Sequence, residues 1–266
     1  MKLKVTLVLT LTLAFVAAGC SDDSKAATNA SGSKASSSAP VTGTITVSAA
    51  ASLTEAFGTI KNDFVKANPG ATVTINSGSS GTLETQIESG APVDVAAFAD
   101  EATMQKLADK SLLAGPSQIF ATNSLVIVTK PGNPKNIKTL ADLATAGTIS
   151  LCANTALCGK YADQILSTAN VSIPASSVTR GQDVKATLSA VTDGDAEAGI
   201  VYVTDAQATG SKVDTCTIPT EQNAVATYPI AVIKATKNEA LAQAFMSYVL
   251  GPEAQSVLED AGFQGP

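Results

Sequence analysis

VSAAASLTEAF, residues 47–57, carries a β-branched run into three alanines and a serine, and then into an apolar repeat of helical spacing. Leu53, Phe57, Ile60 and Phe64 follow one another at intervals of four, three and four, which predicts a helix that buries one face. A strand that passes straight into such a helix is the unit of an α/β fold. The junction itself is bare of charge and bulk, so the backbone there is open to close approach.

The same alternation continues along the chain. Apolar, β-branched runs predict strands at residues 44–49, 71–77, 93–99, 124–130, 148–153, 198–203 and 228–234. Between them lie helical repeats, among them Leu83 with Ile87, and Val184 with Leu188 and Val191. The expected architecture is α/β with mostly parallel sheets flanked by helices, in which ligands sit at the carboxyl ends of strands.

Two strand-to-helix junctions carry chemistry. Ser52 and Glu55 have the S-x-x-E spacing of a capping box, so Ser52 is expected to open the first helix as its N-cap. A cap alone does not require Ala49, Ala50 and Ala51 before it. Small residues beside a helix start, whose first N–H groups lack partners and carry partial positive charge, make a seat for an anion. The serine hydroxyl is able to cap and to donate to a ligand at once. NSGSSGTLETQI, residues 76–87, repeats the arrangement with Ser79, Ser80 and Gly81 ahead of Leu83 and Ile87. It is neither a Walker loop nor a nucleophile elbow.

Composition removes several classes of function. The chain of 266 residues contains no histidine, which excludes the usual general base of serine and cysteine nucleophiles and the commonest metal ligand. Neither serine starts an S-x-x-K motif, since Ser52 leads to Glu55 and Ser80 to Leu83. The formal charge of -6 includes Lys2 and Lys4; without them 15 basic residues face 23 acidic ones, a balance that invites no nucleic acid. Those two lysines precede an apolar run that ends in Ala17, Ala18, Gly19 and Cys20, the layout of an export signal over residues 1–19. The small residues before Cys20 resemble a bacterial lipobox, although alanine stands at 17 where leucine is usual, and that resemblance implies cleavage and lipid attachment at Cys20. Residues 21–42 hold seven serines and five alanines with no Leu, Ile or Phe, so residues 20–42 are expected to form a disordered tether.

ITVSAAASLTEAF, SSGTLETQIESGAPVDVAAFAD, ATNSLVIV, GQDVKATLSAV, GIVYVTDA, YPIAVIK and GPEAQSVLEDAGF, in this order and spacing, resemble the periplasmic molybdate-binding proteins of bacterial molybdate permeases over residues 43–266. The resemblance implies a two-lobed, type II solute-binding fold with two crossover strands as hinge, one lobe formed by residues 43–123 and 228–266 and the other by 124–227. It implies a monomer that captures molybdate or tungstate and delivers it to the permease and ATPase of an ABC importer, without catalysis and without a cofactor, from the outer face of the cell membrane. Carried over by position, it places Ser52 and Ser80 as hydroxyl and N–H donors, Cys158 and Val184 as backbone N–H donors and Tyr202 as a hydroxyl donor. Alanine often stands where this chain has Cys158; a backbone contact tolerates the change. The set gives seven donors and no direct metal ligand. Asp183, directly before Val184, is expected to be an N-cap.

If Cys20 is lipidated, Cys152, Cys158 and Cys216 remain, with three possible pairings in an oxidising compartment. Cys152 with Cys158 is the expected pair, a short loop that would stiffen the binding segment, and three buried free thiols are the alternative. Three rivals stay open at this stage: a binder of another tetrahedral oxyanion such as sulfate or phosphate, a serine-nucleophile enzyme, and a purely structural lipoprotein.

Overall fold

The structure, a computed structural model, describes residues 41–266. The signal of residues 1–19, Cys20 and the tether up to Pro40 lie outside the described residues. The chain runs β1 (Gly43–Ala50), a 3-10 turn (Ala51–Leu53), α1 (Thr54–Ala67), β2 (Ala71–Gly78), α2 (Ser80–Glu88), β3 (Val95–Ala97), α3 (Glu101–Asp109) and β4 (Gln118–Thr129). It continues through β5 (Ile149–Cys152), α4 (Leu157–Thr168), β6 (Val178–Gly181), α5 (Val184–Thr192), β7 (Ala198–Tyr202), α6 (Val203–Thr209), β8 (Asp214–Thr217), β9 (Val225–Val232), α7 (Glu239–Val249) and α8 (Pro252–Asp260).

The strands lie in the order β2-β1-β3-β9-β4-β7-β5-β6, with β8 beside β4. Parallel pairing joins β1 to β2 and β3, and β5 to β6 and β7. Every pairing of β4 or β9 is antiparallel, so each lobe is a mixed sheet whose antiparallel members are the crossover strands. β4 pairs with β9 from Gln118 to Ser124 and with β7 from Leu125 onward, passing from one lobe to the other in a single strand. The first lobe holds β1, β2, β3, β9 and helices α1, α2, α3, α7 and α8; the second holds β5 to β8 and α4 to α6.

Helical periodicity reads through to packing. Leu53, Phe57, Ile60 and Phe64 are all buried. Phe57 meets Phe120 with ring centroids 5.7 Å apart, and Phe64 meets Phe245 edge to face at 5.2 Å, which anchors α1 to β4 and α7. Strand limits depart from expectation where side chains take over the ladder. The strand expected at 93–99 keeps only Val95–Ala97, because the Asp94 carboxylate accepts from the Thr46 N–H at 2.7 Å and the Ala99 N–H turns to the Ser80 hydroxyl at 3.0 Å. β4 begins six residues earlier than its apolar run, since its first half is held by β9. β6 and β8, VTRG and DTCT, are short and partly exposed, and their polar side chains leave no apolar run to detect.

The lobes touch across the cleft through charge. Glu55 in the first turn of α1 lies 2.6 Å from the Lys185 ammonium at the start of α5, which also lies 2.9 Å from Asp205 in α6. Asp205 is fully buried, and burial pushes its carboxyl up to about 6 against the pull of Lys185. Burial disfavours the Lys185 charge as well, yet Asp205 and Glu55 outweigh it and hold the ammonium above its usual value.

Cys152 and Cys158 form a disulfide with Cα atoms 5.7 Å apart, which ties the end of β5 to the first turn of α4. Cys216 is free and donates to the Ile137 carbonyl at 2.9 Å. Gly159 follows within the same turn, and a Cβ there would meet the Ala153 carbonyl oxygen at 2.2 Å. Only glycine lets the helix start sit so close to the preceding backbone.

An acid whose folded pKa exceeds its unfolded one penalises the fold at high pH, and the penalty is relieved as pH falls through the folded value. Lys185→Met removes the cation and leaves the buried carboxylate, so it is expected to cost about 3 kcal/mol near pH 7.5 and to recover most of that near pH 5. Asp205→Asn is expected to cost under about 1 kcal/mol at both pH values. Urea unfolding checks both, and an equal Lys185→Met loss at the two pH values contradicts the account. Replacing Cys152 and Cys158 together by alanine opens a six-residue link and is expected to cost about 2 kcal/mol in the same measurement.

Candidate functional site

Four helix starts meet at the mouth of the cleft. Ala50, Ala51 and Ser52 at the end of β1, Gly78, Ser79 and Ser80 at the end of β2, Ala156, Leu157 and Cys158 after β5, and Asp183 and Val184 after β6 line one cavity, with Ala99 and with Tyr202 at the end of β7. The non-protein space there, open end included, is about 270 Å³, below the range of pockets that hold drug-sized ligands. The parallel registers explain the convergence: β1 with β2, and β5 with β6 and β7, end side by side, and each then delivers its helix start to the same edge. First-turn N–H groups have no acceptor within their own helix, and the helix dipoles add partial positive charge at those ends. Among the described residues no lysine or arginine lines the cavity. The nearest basic residue in sequence, Lys185, is held by Glu55 and Asp205 and contributes no free charge.

The structure brings Ser52, Ser80, Cys158, Val184 and Tyr202 to this one cavity, three from the second lobe and two from the first. Val184 and Ser80 are the first residues of α5 and α2, and Cys158 is the second of α4. Asp183 caps α5, its carboxylate accepting from the Ala186 N–H at 2.9 Å, as its position before Val184 suggests. Ser79 caps α2 and accepts from the Thr82 N–H at 3.3 Å, which leaves the next hydroxyl, Ser80, free of capping.

Ser52 departs from the sequence expectation. It does not cap α1 and forms no capping box with Glu55: it lies inside the 3-10 turn Ala51–Leu53, and neither that turn nor α1 has a side-chain cap. The turn is tightened instead by the Thr54 hydroxyl, which donates to the Ala51 carbonyl at 2.7 Å. Glu55 is drawn outward to Lys185. The Ser52 hydroxyl lies 2.9 Å from that of Tyr228 on β9, a partner 176 residues away. The three alanines are therefore packing as well as access: Ala49, Ala50 and Ala51 are all buried.

Hydroxyl bonding leaves protons over. Ser80 Oγ accepts from the Ala99 N–H at 3.0 Å, so its own proton is available to the cavity. Tyr202 Oη is buried, with the residue 2% exposed, and has no hydrogen-bond partner among the described residues. Burial also drives its acidity well below that of an ordinary phenol, so it stays a protonated donor throughout the physiological range. An unpaired phenol in a buried site costs about 1 to 3 kcal/mol, and such a cost persists where a ligand relieves it. What gathers here is a set of N–H and O–H donors with few acceptors, suited to a small oxyanion that carries no proton.

Sequence reasoning did not find Tyr228, Asn123, Lys185 or Asp205. Tyr228 stands in YPIAVIK, where it reads as one more core residue of a strand, and Asn123 gives no pattern at all. Glu55 gave a signal that pointed elsewhere, because S-x-x-E spacing is shared by capping boxes and by pairs that never meet.

Comparison with known proteins agrees with this geometry. The family described as bacterial extracellular solute-binding protein matches residues 45–264. The molybdate-binding protein ModA of Mycobacterium tuberculosis is 38% identical over 223 residues, 84% of this chain and 85% of that protein. Among solved structures, the substrate-binding domain of a molybdenum ABC transporter from Clostridium difficile is 30% identical with a TM-score of 0.65, over 84% of this chain and 99% of its own. The periplasmic molybdate-binding protein of Azotobacter vinelandii is 25% identical with a TM-score of 0.74, over the same share of each. With the fold, the crossover strands and the match over nearly all the described residues in agreement, this chain belongs to the bacterial extracellular solute-binding proteins, of the type II two-lobed fold.

Proposed function

We propose that the chain captures molybdate, and tungstate with it, outside the cytoplasmic membrane and hands it to the permease and ATPase of an ABC importer. The observation that carries this reading is the Tyr202 hydroxyl, buried and unpartnered, facing a cavity formed by helix N-termini from both lobes. Relatives named for molybdate binding support the choice of anion. In this reading Ser52 and Ser80 each give an N–H and an O–H, Cys158 and Val184 give N–H groups and Tyr202 gives its O–H. Seven charge-assisted bonds at about 1.5 to 3 kcal/mol each amount to about 10 to 20 kcal/mol before the costs of closure and desolvation. A sub-micromolar dissociation constant needs about 8 kcal/mol net, so the set suffices without a basic side chain.

The donors also select. Hydrogen phosphate brings a proton, and the one carboxylate that lines the cavity, Asp183, is engaged by the Ala186 N–H as the cap of α5; a proton left without an acceptor costs about 1 to 3 kcal/mol, whereas molybdate and tungstate bring none at neutral pH. Sulfate is likewise unprotonated, so only its shorter bonds distinguish it from molybdate at this site. The moving bodies are residues 43–123 with 228–266, and 124–227. The chain acts as a monomer, held to the outer face of the membrane by lipid on Cys20, and performs no catalysis; the support for the anchor is the sequence around Cys20 alone.

Calorimetric titration with molybdate, tungstate, sulfate and phosphate tests the reading. Heat and sub-micromolar saturation are expected with the first two, and no saturable heat with either of them would overturn it. Tyr202→Phe removes one donor and keeps the ring, so it is expected to lose about 1.5 to 3 kcal/mol of molybdate binding while the ligand-free protein melts no earlier. An affinity within about twofold of the parent makes Tyr202 a core residue only.

A further inference from the structure

Tyr228 lies on the crossover strand β9 and is fully buried, in contact with Phe120, Phe263 and Tyr202 at ring centroid distances of 6.1, 5.2 and 6.3 Å. Its hydroxyl has two polar neighbours, Ser52 Oγ at 2.9 Å and the side-chain amide nitrogen of Asn123, on the other crossover strand, at 3.4 Å. The Asn123 amide is oriented by its own contacts. Its Oδ1 accepts from the Ser124 N–H at 2.9 Å, and its Nδ2 donates to the Thr204 hydroxyl at 2.9 Å. Turning the amide over would set an NH₂ group against a backbone N–H, so the nitrogen faces Tyr228 as a donor.

That orientation fixes the next bond. The phenol oxygen accepts from Asn123, and among the described residues the only other polar atom within hydrogen-bond reach of the phenol is Ser52 Oγ, which must therefore accept the phenol proton. The opposite arrangement, with Ser52 donating to Tyr228, leaves a buried phenol proton without an acceptor, a penalty worth tenfold or more in an equilibrium. The Ser52 proton is then turned away from Tyr228 and toward the cavity that Ser52 lines.

We infer that Tyr228, held by Asn123, is a positioning and specificity-determining residue: by donating to Ser52 it takes one of the two lone pairs of that hydroxyl and biases its proton, rather than an acceptor site, toward the cavity. The inference rests on the oxyanion reading of the cavity. It makes part of the refusal of hydrogen phosphate depend on a residue that does not line the cavity, and it ties both crossover strands to one serine of the site.

The experiment is a double-mutant cycle read by calorimetry, with molybdate and phosphate as titrants, on the parent, Tyr228→Phe, Ser52→Ala and the double variant. Tyr228→Phe keeps the ring contacts and is expected to weaken molybdate about tenfold and to narrow the ratio of molybdate to phosphate affinity. In the Ser52→Ala background the same change is expected to alter molybdate affinity by less than twofold, because Tyr228 acts through Ser52. Asn123→Leu releases the phenol from its donor and is expected to repeat the pattern, which serves if Tyr228→Phe folds poorly. Equal losses with and without the Ser52 hydroxyl, or an unchanged anion ratio in both Tyr228→Phe and Asn123→Leu, overturn the inference. Failure of the parent chain to bind molybdate removes the oxyanion reading itself, whereas binding with these variants unaffected removes only the role of Tyr228.

Discussion

The structure depends on keeping N–H and O–H groups at five strand ends free of acceptors. Buried donors are costly, and a fold normally satisfies them. Here the satisfied partners stand just behind the cavity: the Ala99 N–H donates to Ser80, Tyr228 bonds Ser52, and Asp183 and Ser79 cap α5 and α2 by accepting from N–H groups deeper in the first turn. Each of these contacts consumes an oxygen lone pair or an inner N–H and leaves an outer proton. The result is a donor surface with no basic side chain among the described residues that line it, so an acidic chain presents it without a local excess of positive charge.

The same arrangement ties recognition to the hinge. β4 and β9 pair along Gln118–Ser124 and then part; Asn123 lies one residue before they do so, and Tyr228 stands opposite Ala121, two pairs further back. On one side Asn123 bonds Thr204 in α6 of the second lobe, and on the other Tyr228 bonds Ser52 at the end of the first-lobe strand β1. Glu55 and Lys185 span the cleft on its outer side, anchored to the buried carboxylate of Asp205. A partly exposed ion pair such as Glu55 with Lys185 is worth little by itself. Its weight here comes from Asp205, which has no water to turn to when the cation leaves.

Much of the fold was legible because it rests on periodicity. The apolar spacing of Leu53, Phe57, Ile60 and Phe64 and the β-branched cores of β1, β2, β5 and β7 have physical reasons that act locally, and they appear in the structure within a residue or two. The short strands β6 and β8 were not legible, because edge strands with one exposed face carry polar residues. In the site, small residues before a helix start marked Ser52 and Ser80 without any knowledge of their partners. Cys158, Val184 and Tyr202 entered as site residues through resemblance alone, since a backbone N–H leaves no trace in residue type and a tyrosine at a strand end is ordinary. The capping role expected of Ser52 failed because a 3-10 turn intervenes before α1 and sends the serine inward to Tyr228, a long-range contact that no local spacing encodes.

The most direct test of the donor-only account is a crystal structure of the chain with molybdate, the metal located by its anomalous scattering. The account predicts a single peak in the cavity between the starts of α2, α4 and α5, with anion oxygens within hydrogen-bond distance of Ser52, Ser80, Cys158, Val184 and Tyr202 and with no lysine or arginine among the contacts. A peak held by basic side chains, or one placed outside this cavity, would contradict it.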